Sequence, residues 1–136
     1  MDKTVYNDLH TKQLVPLRDS LLTLHAELLK QEKTSYEDGH GRIKTAGEYY
    51  SLVTKHPQFR WLRELSTLVV AIDELIATAA ADPKQLASLL EYVKAVLSAD
   101  KNSENFSGKY YAALQNNSQV AVAHGRVMHE LKILMF

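Results

Sequence analysis

The stretch Leu14-Val15-Pro16-Leu17-Arg18-Asp19-Ser20-Leu21-Leu22-Thr23-Leu24-His25-Ala26-Glu27-Leu28-Leu29 decides the fold class. Its leucines at 14, 17, 21, 24 and 28 advance in alternating steps of three and four, which keeps them on one face of an α-helix. Val15, Leu22 and Leu29 widen the stripe beyond a two-position seam, so this helix faces a core. The pattern predicts a helix to about Tyr36. Pro16 leaves two starts open, because proline lacks an N–H and crowds the preceding turn. Either the helix begins at Pro16, or it begins near Asp2 and kinks there.

Reading outward, Asp38-Gly39-His40-Gly41-Arg42 supplies two glycines suited to a helix stop. Thr45-Ala46-Gly47-Glu48 matches a capping box, which predicts a short helix over 46–54 with Tyr50 and Val53 on one face. Pro57 is placed as the first residue of the next helix, whose stripe is Leu62, Leu65, Val69, Ile72 and Ile76 with Phe59, Leu68 and Leu75 beside it. Asp82-Pro83 reads as N-cap and first helical residue of a further helix, buried through Leu86, Leu89, Leu90, Val93, Val96 and Leu97. After the polar break Ala99–Ser103, with Ser103 as cap, one continuous helix is expected to the C-terminus. Its seam is Tyr110, Ala113, Asn117, Val120, His124, Val127, Leu131 and Leu134. Four long amphipathic helices with short connections predict an all-α fold. The architecture expected is a four-helix bundle with one additional short helix between the first and second long helices.

The chain has 136 residues, 46 % of them apolar, which suits one domain over 1–136 with its own core. Sixteen basic residues balance sixteen acidic ones, so no long-range field gathers nucleic acid. The absence of cysteine excludes disulfides, thiolate nucleophiles, iron–sulfur clusters and Cys-ligated zinc. The opening residues lack the apolar run of a secretory signal, and Leu65–Ala81 is interrupted by Asp73 and Glu74 and is too short to span a bilayer. These features give the expectation of a soluble, cytoplasmic protein.

Asn117 and His124 interrupt an apolar seam, and each needs a hydrogen-bond partner there. In an up-down-up-down bundle His25 and Ser66 fall near the level of His124, which predicts a polar layer of His25, Ser66, Asn117 and His124, with Asp73 a secondary candidate. Such a layer serves either to fix helix register or as the convergent polar groups of a small-ligand pocket. No metal site is expected. The single Glu-x-x-His, Glu37 to His40, falls in a loop, and Ile133 stands where a zinc-protease motif needs its second histidine. No nucleophile elbow, phosphate loop or dinucleotide fingerprint is present, so no catalytic residue and no cofactor is assigned. The Gly39–Arg42 turn could form an anion nest, although the helix stop already accounts for its glycines.

Trp61 stands with Phe59 and Arg60 at a helix start, a mixture enriched at interfaces, while Arg60 and Glu64 are spaced as a solvated helix pair. Tyr49-Tyr50 and Tyr110-Tyr111 each place one ring inward and one to the side, leaving Tyr49 and Tyr111 as contact candidates. Ile133 and Phe136 lie off the terminal seam. The functional expectation is a non-catalytic interaction protein, a homodimer or the partner of another protein. A small-ligand-binding bundle is the alternative, and neither nucleic acid nor membrane is expected as a partner.

Overall fold

A computed structural model describes residues 3–78 and 82–135, with side chains from residue 12 onward. Six α-helices account for most of them: α1 (Lys3–His40), α2 (Ala46–Lys55), α3 (Arg63–Ala77), α4 (Pro83–Val96), α5 (Phe106–Asn116) and α6 (Ser118–Met135). A 3-10 turn, Pro57–Leu62, leads into α3, and no strand occurs among the described residues. No helix among them is long and apolar enough to cross a membrane.

The 38 residues of α1 make a rod about 57 Å long at 1.5 Å per residue. Pro16 lies inside it with its ring exposed, so of the two starts left open by the sequence the earlier one holds. The helix also outlasts the expected stop near Tyr36. Gly39 is still helical, and the chain turns at Gly41, whose φ of +87° is open to glycine. The Gly41 N–H closes the end on the Glu37 carbonyl at 2.9 Å.

The Thr45 hydroxyl caps α2 by accepting from the Glu48 N–H at 3.0 Å. Glu48 reaches back to the Lys44 N–H rather than to that of Thr45, so the expected box is displaced by one residue. At the start of α4 the box is complete: Asp82 accepts from the Lys84 N–H at 2.8 Å and Gln85 accepts from the Asp82 N–H at 3.0 Å. Ser103 does not cap α5; Asn105 occupies that position, and Ser103 Oγ accepts the Asn105 N–H. The loop is pressed onto α5 at Gly108, where a Cβ would overlap the Ser103 carbonyl.

The expected continuous last helix is two helices. Asn117 leaves the helical region at φ −139° and ψ 110°, ending α5, and its Oδ1 accepts from the N–H groups of Gln119 and Val120 at the start of α6. A side chain bonded to its own downstream backbone competes with the helical ladder, and here it wins.

Leu14, Leu17, Leu21, Leu24 and Leu28 of α1 are all buried and meet Leu65, Leu68 and Ile72 of α3, Leu90 and Val93 of α4, and Val120, Val127 and Leu131 of α6 in one core. On α3 the buried row runs through Leu68, with Val69 and Ile76 only half-buried. Helix α1 packs on α3 and α6, and α4 packs on the same two, closing a ring of contacts; α5 lies on α6. Partners of α1 residues 18, 25 and 32 are α3 or turn residues 73, 66 and 61, so α1 and α3 run antiparallel. Gln31 of α1 meets Asn117 at the start of α6. No α1 residue beyond Leu28 is fully buried, so α6 must run back along α1 toward Leu14 to bury its own apolar row. Helix α2 buries no residue and is held mainly through the 3-10 turn.

Candidate functional site

Pro57 has no N–H to offer at the start of the 3-10 turn, and the next donor, Gln58 N–H, is taken by His56 Nδ1 at 3.1 Å. The turn so fixed carries two side chains to one carboxylate on α1. Gln58 Nε2–H donates to Glu32 Oε2 at 3.0 Å, and Trp61 Nε1–H donates to Glu32 Oε1 at 3.1 Å. Phe106 from α5 packs on the indole with ring centres 5.5 Å apart. Phe59 and Leu62 point inward and are buried, while Trp61 remains half-buried with its orientation set from both sides.

Trp61 and Lys109 form the wall shared by two open basins. One, of about 500 Å³, lies between Arg60 and Arg63 on one side and Asn105 and Phe106 on the other. The second, of about 340 Å³, lies between Gln31, Glu32 and Ser35 of α1 and Ala112 and Asn116 of α5. A third, of about 360 Å³, shares Gln31 and Ser35 with the second and continues to Asp38 and Asn117. The second and third make one groove along α1, faced by Ala112, Asn116 and Asn117, and the first opens beyond Trp61 between the 3-10 turn, α3 and α5, with Glu64 and Glu104 also on its walls. Among the described residues Arg60, Arg63 and Lys109 have no carboxylate within 4.0 Å, so the expected Arg60–Glu64 pair is not formed. Arg63 instead donates to the Thr54 carbonyl, tying α3 to α2.

The polar residues singled out from the sequence are distributed otherwise. His25 Nε2 lies 3.2 Å from Ser66 Oγ across the α1–α3 seam, and Asp73 accepts from Arg18 at 3.1 Å about two turns further along it. His124 bonds through Nδ1 to the hydroxyl of fully buried Tyr110 on α5, at 2.6 Å. Asn117 donates to Gln31 and caps α6. The structure therefore joins His25 to Ser66, but no hydrogen bond joins that pair to His124 or Asn117. The expected single layer is three separate pairings, on α3, on α5 and at a helix end. Burial lowers both His25 and His124 from the ordinary 6.5, and burial raises Tyr110. Neither histidine nor Ser66 nor Asp73 lines the groove; Asn117 does, at its far end.

Among the other contact candidates, Tyr49 is half-buried against Phe59, with Lys33 Nζ 5.2 Å from its ring centre. Tyr111 is half-buried, Ile133 is 50 % exposed, and Phe136 lies outside the described residues. No three of the described His, Asp and Glu side chains converge as a metal site.

Sequence reasoning missed Tyr110 as the partner of His124, and Glu32, Gln58 and Lys109 as groove residues. A tyrosine in a core row was a usable signal, since its hydroxyl needs a partner when buried. Nothing in a single sequence marks Glu32 or Lys109, which lie 29 and 48 positions from Trp61 along the chain. No family model, curated protein or solved structure matches this chain.

Proposed function

We propose that this protein is a non-catalytic interaction protein, built as a four-helix bundle of α1, α3, α4 and α6, that receives an extended segment of a partner polypeptide in the groove between α1 and α5. The observation that carries this reading is the fixed indole of Trp61 at the point where two basins meet. A half-buried aromatic ring whose rotamer is already set offers contact area at little ordering cost, the property of interface anchors. The groove beyond it suits a peptide backbone. An extended strand presents N–H and C=O groups in alternation; Gln31 Nε2 remains as a donor and Asn116 Oδ1 as an acceptor, while Gln31 Oε1 is taken by Asn117 and Asn116 Nδ2 by the Ala112 carbonyl. Lys109, central to the groove and without an ion-pair partner among the described residues, supplies a donor for a carbonyl or carboxylate.

A phage-displayed library of random linear peptides tests this. Enrichment on the wild-type chain that is lost on Trp61→Ala and Lys109→Glu, with both variants retaining the wild-type circular dichroism, is the expected result. Selected peptides that bind all three chains equally would overturn the reading.

One observation supports a second mode, self-association. Val122 and Ile133 lie eleven residues apart on α6, nearly in line along its outer face, and are 70 % and 50 % exposed. A second copy laid on this row would cover both, giving a homodimer that leaves the groove open. Sedimentation velocity should then report a dimer for the wild type and a monomer for Ile133→Glu; a wild-type monomer at all concentrations would dismiss it.

A further inference from the structure

His56 is the joint between α2 and the turn that carries Trp61, and it holds both sides. Its backbone N–H closes α2 on the Leu52 carbonyl at 2.9 Å, its carbonyl accepts from the Phe59 N–H at 3.1 Å, and its ring Nδ1 accepts from the Gln58 N–H at 3.1 Å. A ring nitrogen that accepts carries a lone pair, so the neutral ring keeps its proton on Nε2. We propose that His56 is a proton-sensitive cap: proton uptake at Nδ1 removes the acceptor for the Gln58 N–H and loosens the start of the Pro57–Leu62 turn, which alters the setting of Trp61 in the groove.

Nothing that faces the ring offsets the lost bond. The protonated ring would sit at the start of a helical turn, where free N–H groups already present partial positive charge. The rings facing it are Tyr36, edge-on with centres 5.4 Å apart, His40 at 6.2 Å, and Phe59 at 6.4 Å. None of these is an anion. Lys55 precedes it in the chain, Arg60 follows on the turn, and Tyr49 of α2 packs on Phe59. The nearby carboxylate of Glu37 on α1 accepts from the Ile43 N–H, and no carboxylate bonds the His56 ring among the described residues. His40 differs in the decisive respect. Its Nδ1 lies 3.1 Å from the Tyr36 carbonyl and so donates, a bond that protonation leaves intact. Of the two neighbouring histidines only His56 loses a bond on gaining a proton. Helix α2 buries no residue, so on that side the start of the turn is held by the cap, while Glu32 on α1 and the buried Phe59 and Leu62 hold the rest of the turn in place.

The consequence for binding rests on the groove reading above, but the cap itself does not, and the test needs no ligand. Trp61 is the sole tryptophan, so indole emission reports the turn directly. On acidification from about pH 8 to about pH 5, the wild-type emission should shift to the red. His56→Asn should abolish that shift, because an asparagine cap accepts the same N–H without titrating, and His40→Gln should retain it. Should His56→Asn not fold, His56→Ser provides the same non-titrating acceptor. Independently of any variant, nitrogen-15 NMR of the unaltered chain should find the neutral His56 ring protonated on Nε2. A neutral ring protonated on Nδ1, or an unchanged emission shift in the capped variants, would overturn the proposal. Failure of the peptide selection would leave these outcomes untouched.

Discussion

Replacing Tyr110 by phenylalanine removes one oxygen and leaves the ring that fills the core, so it isolates the bond to His124. Tyr110 is wholly buried, and its hydroxyl meets His124 Nδ1 at 2.6 Å, a short and well-formed contact. A buried hydrogen bond contributes about 1 kcal/mol net, and deleting one partner costs about 1–3 kcal/mol when the other is stranded. His124 is only half-buried, so water can approach its ring, which places the loss in the lower part of that range, about 1–2 kcal/mol. Unfolding entropy near 2.1 cal/mol/K per residue, over 136 residues, converts each kcal/mol to about 3.5 °C. The melting temperature should therefore fall by about 3–7 °C. Urea denaturation followed by far-ultraviolet circular dichroism should show a lower midpoint at unchanged slope, the mark of lost stability without a change in the surface exposed. A double-mutant cycle with His124→Leu should return a coupling of about 1 kcal/mol. A Tyr110→Phe chain within about 0.5 kcal/mol of the wild type, the range of ordinary surface changes, would refute the claim that this bond satisfies the buried hydroxyl.

Other perturbations follow from the same physical terms. Glycine to alanine inside a helix ordinarily stabilises by about 1 kcal/mol, and Gly125→Ala on α6, where nothing approaches the added carbon, should do so. Gly108→Ala should instead destabilise by about 1–3 kcal/mol, since its Cβ would overlap a backbone carbonyl that no rotamer change can move, and thermal melts of the two variants should shift in opposite directions. Asn117→Ala removes the cap of α6 and the bond to Gln31, and urea denaturation should show a loss of about 0.5–2 kcal/mol. Burial lowers His25 and His124 in the folded state, so below pH 6.5 the unfolded chain binds more protons. Stability should be full above that value and decline as pH falls toward the lowered pKa values, and His25→Gln with His124→Gln should flatten the decline measured by urea midpoints.

The helical class and the positions of the core rows were legible because both depend on spacing alone. Leu14 to Leu28 can share one buried face only as a helix, and all five are buried. Caps were legible where the side chain acts on its own neighbourhood, as at Asp82 and Thr45. The errors arise where a local choice depends on something distant. Whether Pro57 opens an α-helix or a 3-10 turn depends on Glu32, which draws in Gln58 and Trp61 from 26 and 29 residues away and favours the tighter winding. Whether Ser103 or Asn105 begins α5 depends on the loop lying against Gly108. A polar residue in an apolar row signals that a partner exists without naming it. His25 and His124 both have partners, but one turns to α3 and the other to α5.

Asn117 shows why this ambiguity reaches as far as function. In sequence it falls on the 3-4 row that runs from Tyr110 to Leu134, and an unbroken helix would make it a core residue facing other polar groups. The same side chain is also a strong N-cap, and the two outcomes differ by where its oxygen goes: across the core, or onto the amides of Gln119 and Val120. The second leaves the Asn117 amide nitrogen free to meet Gln31, ends α5 at Asn116, and lets α5 lie on α6 instead of continuing its line. Ala112 and Asn116 then stand across an open groove from Gln31, Glu32 and Ser35, with Trp61 and Lys109 at its bend. A single capping choice thus separates a chain in which Asn117 would face the core from one in which it stands at the end of a groove on the surface. On this account Asn117→Ala should impair peptide capture as well as stability, whereas Asn117→Asp, which retains the cap and loses the donor to Gln31, should preserve α6 and alter only the far end of the groove.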